Sequence, residues 1–274
     1  MRRVAALAAC LALPALAAAQ EVAPNRAIYY LHPTDVRDAR ALWVNPAGLG
    51  LMRDASVYAE LAVQDPATGG SRLRQISAGF NSRGLAFAYQ RDVFDGGRRG
   101  HTYRVGLSGS SKGLAGGVAM ALYRGDTKGT GWDFGATYAI EGKAPLTVGG
   151  VIANIGQPVV RGLEQRLTFI PGATWRPLGP AAGFSLDARI TPDSVLSYAF
   201  GLTWQGTGGR FPIGVLARLQ TDGGFRRTAF AIGIGIGGPD RVGLVLSAPG
   251  NVSGVDGASL YGLSTRVPGG RRRR

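Results

Sequence analysis

From Val57 onward the chain is written in stretches of about ten residues in which large apolar side chains alternate with small or polar ones. Clusters of Gly, Pro, Asp and Ser separate one stretch from the next. In a strand, successive side chains point to opposite faces, so this period sorts the residues into two surfaces. Leu196, Tyr198, Phe200, Leu202 and Trp204 share one face, and Ser197, Ala199, Gly201, Thr203 and Gln205 share the other. Phe230, Ile232, Ile234 and Ile236 oppose Ala229, Ala231, Gly233, Gly235 and Gly237 in the same way. A soluble sandwich would bury its large face against a second sheet and put charges outside. Here the large face recurs on nearly every stretch and the small face is rich in Ala and Gly, which form a core poorly. Lipid is the simplest partner for the large face.

The charges inside these stretches agree. Glu60, Arg104, Asp133, Asp187, Arg189 and Arg218 share parity with the small residues, which predicts that they point into a lumen and away from the lipid midplane. Beyond the N-terminus no segment offers the roughly 18 consecutive apolar residues of a spanning helix. A sheet that crosses a membrane must close on itself, because the hydrocarbon layer leaves no partner for an open edge. The expected fold is therefore all-β: a transmembrane antiparallel up-and-down β-barrel of about 14 strands with a short N-terminal helical plug segment. The strands are expected to begin near Val57, Leu73, Leu85, Tyr103, Leu114, Trp132, Leu146, Leu167, Phe184, Leu196, Phe211, Phe225, Val242 and Leu260.

With the N-terminus in the periplasm, short turns fall at 81–84, 110–113, 141–143 and 206–209. Longer external loops fall at 91–101, 123–131, 154–165 and 247–258, while 191–194 and 221–224 are short where this scheme wants length. Tyr89, Tyr103, Trp132, Tyr138, Trp175, Trp204 and Phe211 lie near strand ends, as interfacial girdles require.

The N-terminus supplies the route to a membrane. Met1-Arg2-Arg3, an apolar run from Val4 to Ala19, and Gln20-Glu21 have the layout of a secretory signal peptide cleaved after Ala17-Ala18-Ala19. Leu7-Ala8-Ala9-Cys10 matches a lipidation pattern, but the apolar run before it is short and continues past Cys10 to a better cleavage site. Cleavage there removes the one cysteine, and with it disulfides and thiolate zinc sites. Only His32 and His101 remain as imidazoles, so no cofactor and no metal site is expected. The expected organisation is a signal peptide over 1–19, a plug segment over 20–54, the barrel over 55–267 and a basic tail over 268–274.

The net charge of +14 would suit nucleic acid, but the basic residues are dispersed and neither a recognition helix nor a stacking platform is visible. No nucleic-acid partner is expected. Outer-membrane lipids and lipopolysaccharide are the more economical counterions. Arg271 to Arg274 read as a solvated tail.

Before the first strand, Thr34 can cap a short helix running to about Trp43, and Pro46 ends it by disfavouring helical geometry at Asn45. The stretch Asn45-Pro46-Ala47-Gly48-Leu49 after an aspartate-containing segment resembles the FadL-type outer-membrane transporters of hydrophobic compounds and their PorV-like relatives. That resemblance implies a barrel of matching strand number with this segment packed inside it. The chain departs from the transporters in its brief external loops and in Arg37 and Arg40, which stand where small or acidic residues are common. It also lacks the C-terminal aromatic of many bacterial barrels; Tyr261-Gly262-Leu263 is the nearest substitute.

Two enzyme-like motifs lose to simpler readings. Gly233-Ile234-Gly235-Ile236-Gly237-Gly238 satisfies the dinucleotide fingerprint, but a turn at Pro239-Asp240 follows rather than a helix. Gly109-Ser110-Ser111-Lys112-Gly113 has the spacing of a nucleophile elbow within a short turn between strands. His101 is expected in an external loop, with no serine positioned beside it, so no enzyme is expected. The sequence points instead to passage or binding of a small hydrophobic or amphipathic compound, with Asn45, Pro46, Ala47, Gly48 and Leu49 seating the plug. The rivals are a scaffold barrel that binds secreted, surface or periplasmic proteins, and the membrane anchor of a larger enzyme system. Short loops and a small lumen favour a scaffold, whereas a ligand-sized apolar cavity favours transport.

Overall fold

The computed structural model describes residues 28–52, 54–64, 72–160, 163–206, 208, 211–249 and 255–266. The expected signal peptide, Cys10 and the arginine tail lie outside the described residues. Two four-residue helices, α1 (Ala41–Val44) and α2 (Gly48–Leu51), precede the sheet. The barrel strands are β1 (Ala55–Gln64), β2 (Arg72–Ser82), β3 (Leu85–Val93), β4 (Arg99–Ser111), β5 (Leu114–Gly125), β6 (Thr127–Ile140) and β7 (Leu146–Ile155). They continue with β8 (Thr168–Trp175), β9 (Ala182–Ile190), β10 (Val195–Gln205), β11 (Ile213–Thr221), β12 (Arg227–Gly237), β13 (Asp240–Pro249) and β14 (Gly257–Arg266).

Each strand pairs antiparallel with its sequence neighbours, and β1 pairs with β14 from Ala55↔Arg266 to Gln64↔Gly257. The 14 strands therefore form a closed barrel with no free edge. Their lengths, 8 to 14 residues, are those a tilted strand needs to cross a bilayer. Ala55 and Arg266 sit side by side, so the chain starts and finishes the barrel on one rim, called here the terminal rim.

The faces sort as the alternation requires. Phe200, Leu202 and Trp204 are exposed on the outside, as are Ile232, Ile234 and Ile236, while Ala199 and Ala231 are buried. Trp204, Trp175, Tyr138 and Phe211 lie outward at the terminal rim. Tyr103 lies outward toward the far rim, stacked obliquely on Tyr89 at 5.2 Å between ring centroids. At the terminal rim the β2–β3 and β4–β5 hairpins turn on two residues each, Arg83-Gly84 and Lys112-Gly113, all four with positive φ. Such turns match the twist of the flanking strands.

Three expectations need correction. The loop over 123–131 is no loop: β5 and β6 stay paired out to Tyr123↔Gly129 and turn within a few residues around Asp126. His101 is likewise a strand residue, opposite Arg91 and Arg124, with its Nδ1 2.8 Å from the Tyr89 hydroxyl. The helix expected from Thr34 to Trp43 shrinks to Ala41–Val44. Thr34 spends its Oγ1 on Thr174 of the wall at 2.8 Å, and Ser56 and Asp38 accept the amides of Ala39 and Arg40, so side chains take donors that a longer helix would use.

The inner face is not uniformly small. Tyr58, Val245, Tyr261 and Leu263 point inward and pack with Tyr30 and Ala39 of the N-terminal segment. On the opposite side Val36, Leu42 and Leu49 pack against Ala86, Ala88 and Ala119. The segment that precedes the barrel thus supplies the core that the small-residue wall lacks. Tyr261 and Leu263, inward and buried, are not part of a lipid-facing terminal signal.

Candidate functional site

Residues 28–52 pack inside the lumen, and the Asn45-Pro46-Ala47-Gly48-Leu49 stretch joins α1 to α2. Asn45 is extended, as the following proline requires, and its backbone N–H closes α1 on the Ala41 carbonyl at 2.8 Å. Its side chain bridges the segment to itself: Nδ2 donates to the Pro33 carbonyl at 2.9 Å, and Oδ1 accepts the Ala47 amide at 3.0 Å. Ala47 and Leu49 are wholly buried. The Leu49 and Gly50 carbonyls at the end of the short α2 are met by the wall, since Asn81 donates to Leu49 and Ser110 to Gly50. Ser110, read above as part of a turn motif, is a strut.

Glycines of the inner face make this approach possible. A Cβ on Gly135 would collide with the Asn45 side chain, one on Gly117 with the Pro46 carbonyl, one on Gly106 with Leu42, and one on Gly201 with the His32 ring. At Gly117 the segment's backbone, and at the other three its side chains, therefore lie directly on the wall's backbone, where a larger residue would hold the two apart.

Four of the six inward charges bind the segment directly. Arg104 donates to the Leu42 carbonyl at 2.8 Å, lies over the Trp43 ring and pairs with Asp133. Arg218 donates to the Leu31 carbonyl at 2.7 Å and reaches Asp187, whose Oδ2 stands 2.5 Å from Nδ1 of His32. Glu60 accepts the Tyr30 hydroxyl at 3.3 Å. Asp133 contributes through Arg104 and also accepts the Asn154 amide. Arg189 forms no hydrogen bond to the segment among the described residues, but it lines the same cavity as Arg218 and Asp187. Burial and the nearby Arg218 lower the His32 imidazole below its ordinary value despite the Asp187 hydrogen bond, so the ring sits neutral with Nδ1 donating.

Among the described residues the lumen keeps a recess toward each rim. The one toward the far rim, of 160 Å³, combines Ile28, Tyr29, Leu31 and Trp43 with Arg104, Asp187, Arg189 and Arg218. The one toward the terminal rim, of 240 Å³, is lined by Asp35, Arg37, Asp38, Arg40, Arg176 and Arg241.

No protein-family profile and no curated protein sequence matches the chain. Among solved structures, the Ralstonia pickettii toluene transporter TbuX superposes with a TM-score of 0.53 at 11% identity, over 86% of this chain and 98% of its own. The Pseudomonas putida toluene transporter TodX gives 0.49 at 11% identity over 82% and 92%. A Pseudomonas aeruginosa FadL homologue gives 0.48 at 8% identity over 87% and 96%. The fold is that of an outer-membrane β-barrel.

In this barrel, several site residues escape sequence reasoning. Asp92 and Arg241 face the lumen. Both share parity with small neighbours, Ala86 and Ala88 in one case and Gly243 in the other, so the alternation could have found them. They lie just outside the alternating stretches, which stop short of Arg91 and open at Val242. The pairing of His32 with Asp187, and of Asp35 with Arg176, has no local signal, since each joins residues more than a hundred positions apart.

Proposed function

We propose that the protein resides in the bacterial outer membrane and admits or binds a small hydrophobic or amphipathic compound, with residues 28–52 acting as a displaceable stopper. The observation that carries this reading is the segment itself: a lumen occupied by residues 28–52, held by polar contacts as well as by two apolar clusters, with a recess toward each end. The recess at the far rim has the mixed lining that an amphipathic compound needs, apolar at Ile28, Tyr29 and Leu31 and charged at Arg104 and Arg218. TbuX, whose fold this chain shares, is a transporter of toluene.

A second reading, a scaffold barrel that binds other proteins, is favoured by the tight connections at the far rim around Asp126 and 191–194 and by the modest size of both recesses. Uptake separates the two. Liposomes carrying the folded protein should take up a fluorescent fatty acid faster than empty vesicles, and a variant lacking residues 35–49 should also pass a small hydrophilic dye. No uptake by either protein, both folded and inserted, would leave the scaffold.

A further inference from the structure

The outward face of β3, β4 and β5 changes character in three steps toward the far rim. Cross-strand partners form one row of Phe87, Val105 and Met120, a second of Tyr89, Tyr103 and Leu122, and a third of Arg91, His101 and Arg124. All of them share the parity of the exposed Leu85, Leu107 and Leu114 on the same strands, so they face away from the lumen. Successive rows lie two residues apart, about 7 Å along the strands. Apolar side chains, then tyrosine hydroxyls, then cations follow the order in which a bilayer offers acyl chains, interface and headgroup phosphates. Arg99, exposed two residues beyond His101 on the same face, adds a further cation.

The third row has no anion of its own. Among the described residues no carboxylate pairs with Arg91, Arg99 or Arg124. Asp92, next to Arg91 in the chain, points into the lumen, and Asp126 spends Oδ2 on the Arg99 backbone amide. The exposed Arg124 makes one side-chain hydrogen bond, to the Tyr123 carbonyl. The His101 ring is held in place, stacked on Tyr89 with its Nδ1 2.8 Å from the Tyr89 hydroxyl. With that hydroxyl donating, Nε2 carries the proton and is left as a donor. The two arginines converge by register. Each stands directly opposite His101, so their Cα atoms lie about 10 Å apart, one hydrogen-bonded and one non-hydrogen-bonded spacing. Two arginine side chains leaning over the imidazole span that gap. The row is confined to this arc, since the outward residues at the far-rim ends of β9, β10 and β13 are Ile190, Tyr198 and Ala248.

We propose that Arg91, His101 and Arg124 hold the phosphate of an anionic lipid headgroup in the leaflet at the far rim. Charge complementarity and the height of the row above the tyrosines carry the assignment. Guanidinium and imidazole N–H groups suit the acceptor oxygens of a phosphate. The acyl chains of the same lipid then lie along Phe87, Val105 and Met120, on the face that the alternation already gives to hydrocarbon. The inference rests on the membrane placement proposed above and not on passage through the lumen, whose recesses none of these three residues lines.

Native mass spectrometry of the folded full chain tests this, in detergent micelles doped equally with phosphatidic acid and phosphatidylcholine of the same acyl chains. The protein should retain phosphatidic acid over phosphatidylcholine by about tenfold, and R91Q/R124Q should bring the two close to parity. R166Q/R226Q removes two exposed arginines elsewhere on the far rim and should leave the preference intact. Heat-modifiable electrophoretic mobility reports whether each variant is folded. If R91Q/R124Q is not, R124Q alone takes its place and should reduce the preference about threefold. Lack of preference in the native chain, a preference that survives in the folded row variant, or an equal loss in R166Q/R226Q would overturn the proposal. So would displacement of the lipid by millimolar inorganic phosphate, which would mark a soluble-anion site. Retention of phosphatidic acid by a protein that takes up neither probe in liposomes would leave this site standing while the transport reading fails.

Discussion

At the scale of single residues, the lumen is held by charges that have little water to fall back on. Asp187 touches both His32 and Arg218, and all three are at most a few per cent exposed. Replacing Asp187 by Asn leaves Arg218 buried without its counter-ion, a loss of about 3–5 kcal/mol for a broken buried pair. Urea unfolding in detergent should show it as a lowered midpoint, and an unchanged midpoint would mean that the pair contributes nothing. His32 adds a dependence on pH. Its folded imidazole is held below the ordinary value of 6.5, first by burial and then by Arg218, so the unfolded chain takes up the proton more readily. Its contribution is therefore present above pH 6.5 and is lost as pH falls below that value and through the lower folded one. Hydrogen exchange over residues 28–52 should accelerate between pH 7 and pH 5 beyond the intrinsic trend, and His32→Asn should remove that excess.

Elements explain how a segment with two four-residue helices becomes a defined object. Neither α1 nor α2 is long enough to be stable alone, so their shape is imposed by the glycine-faced strands around them. Gly135→Ala and Gly201→Ala should displace the segment while leaving the barrel intact, because the new methyl group meets Asn45 in one case and the His32 ring in the other. Limited trypsin digestion reports it: cleavage after Arg37 or Arg40 should appear in the variants, with the β circular dichroism signal retained. The strands were legible from sequence because a period of two survives without knowledge of any partner; Leu85, Leu114 and Leu146 open β3, β5 and β7 as the alternation predicts. The start of β6 was not legible. Thr127-Lys128-Gly129 looks like loop, yet Gly129 pairs with Tyr123 across the hairpin and Thr127 and Lys128 pair with Val160 and Val159, since register is set across segments and not within one. The interior was legible as parity alone: inward charges follow from alternation, but their partners lie on a segment whose path no local pattern encodes.

For the whole molecule, the exposed apolar band and the buried charges describe an object turned inside out relative to a soluble domain. Ile232 lies near the middle of β12 and faces outward at 47% exposure. Ile232→Arg should cost about 2–4 kcal/mol in vesicles if this face meets lipid near the midplane, read from the denaturant midpoint of the inserted protein. The same substitution would cost little on a face that meets water. One further property follows from the join between α2 and β1, which are separated by only a few residues on the terminal rim. In the proposed role of stopper, the segment is a tethered ligand of its own receptor, so its effective concentration near the lumen is set by that short linker and is in the millimolar range typical of such linkages. Individually modest contacts then suffice to keep the lumen occupied, and a displaced segment returns by an intramolecular step at the same rate however dilute the protein is.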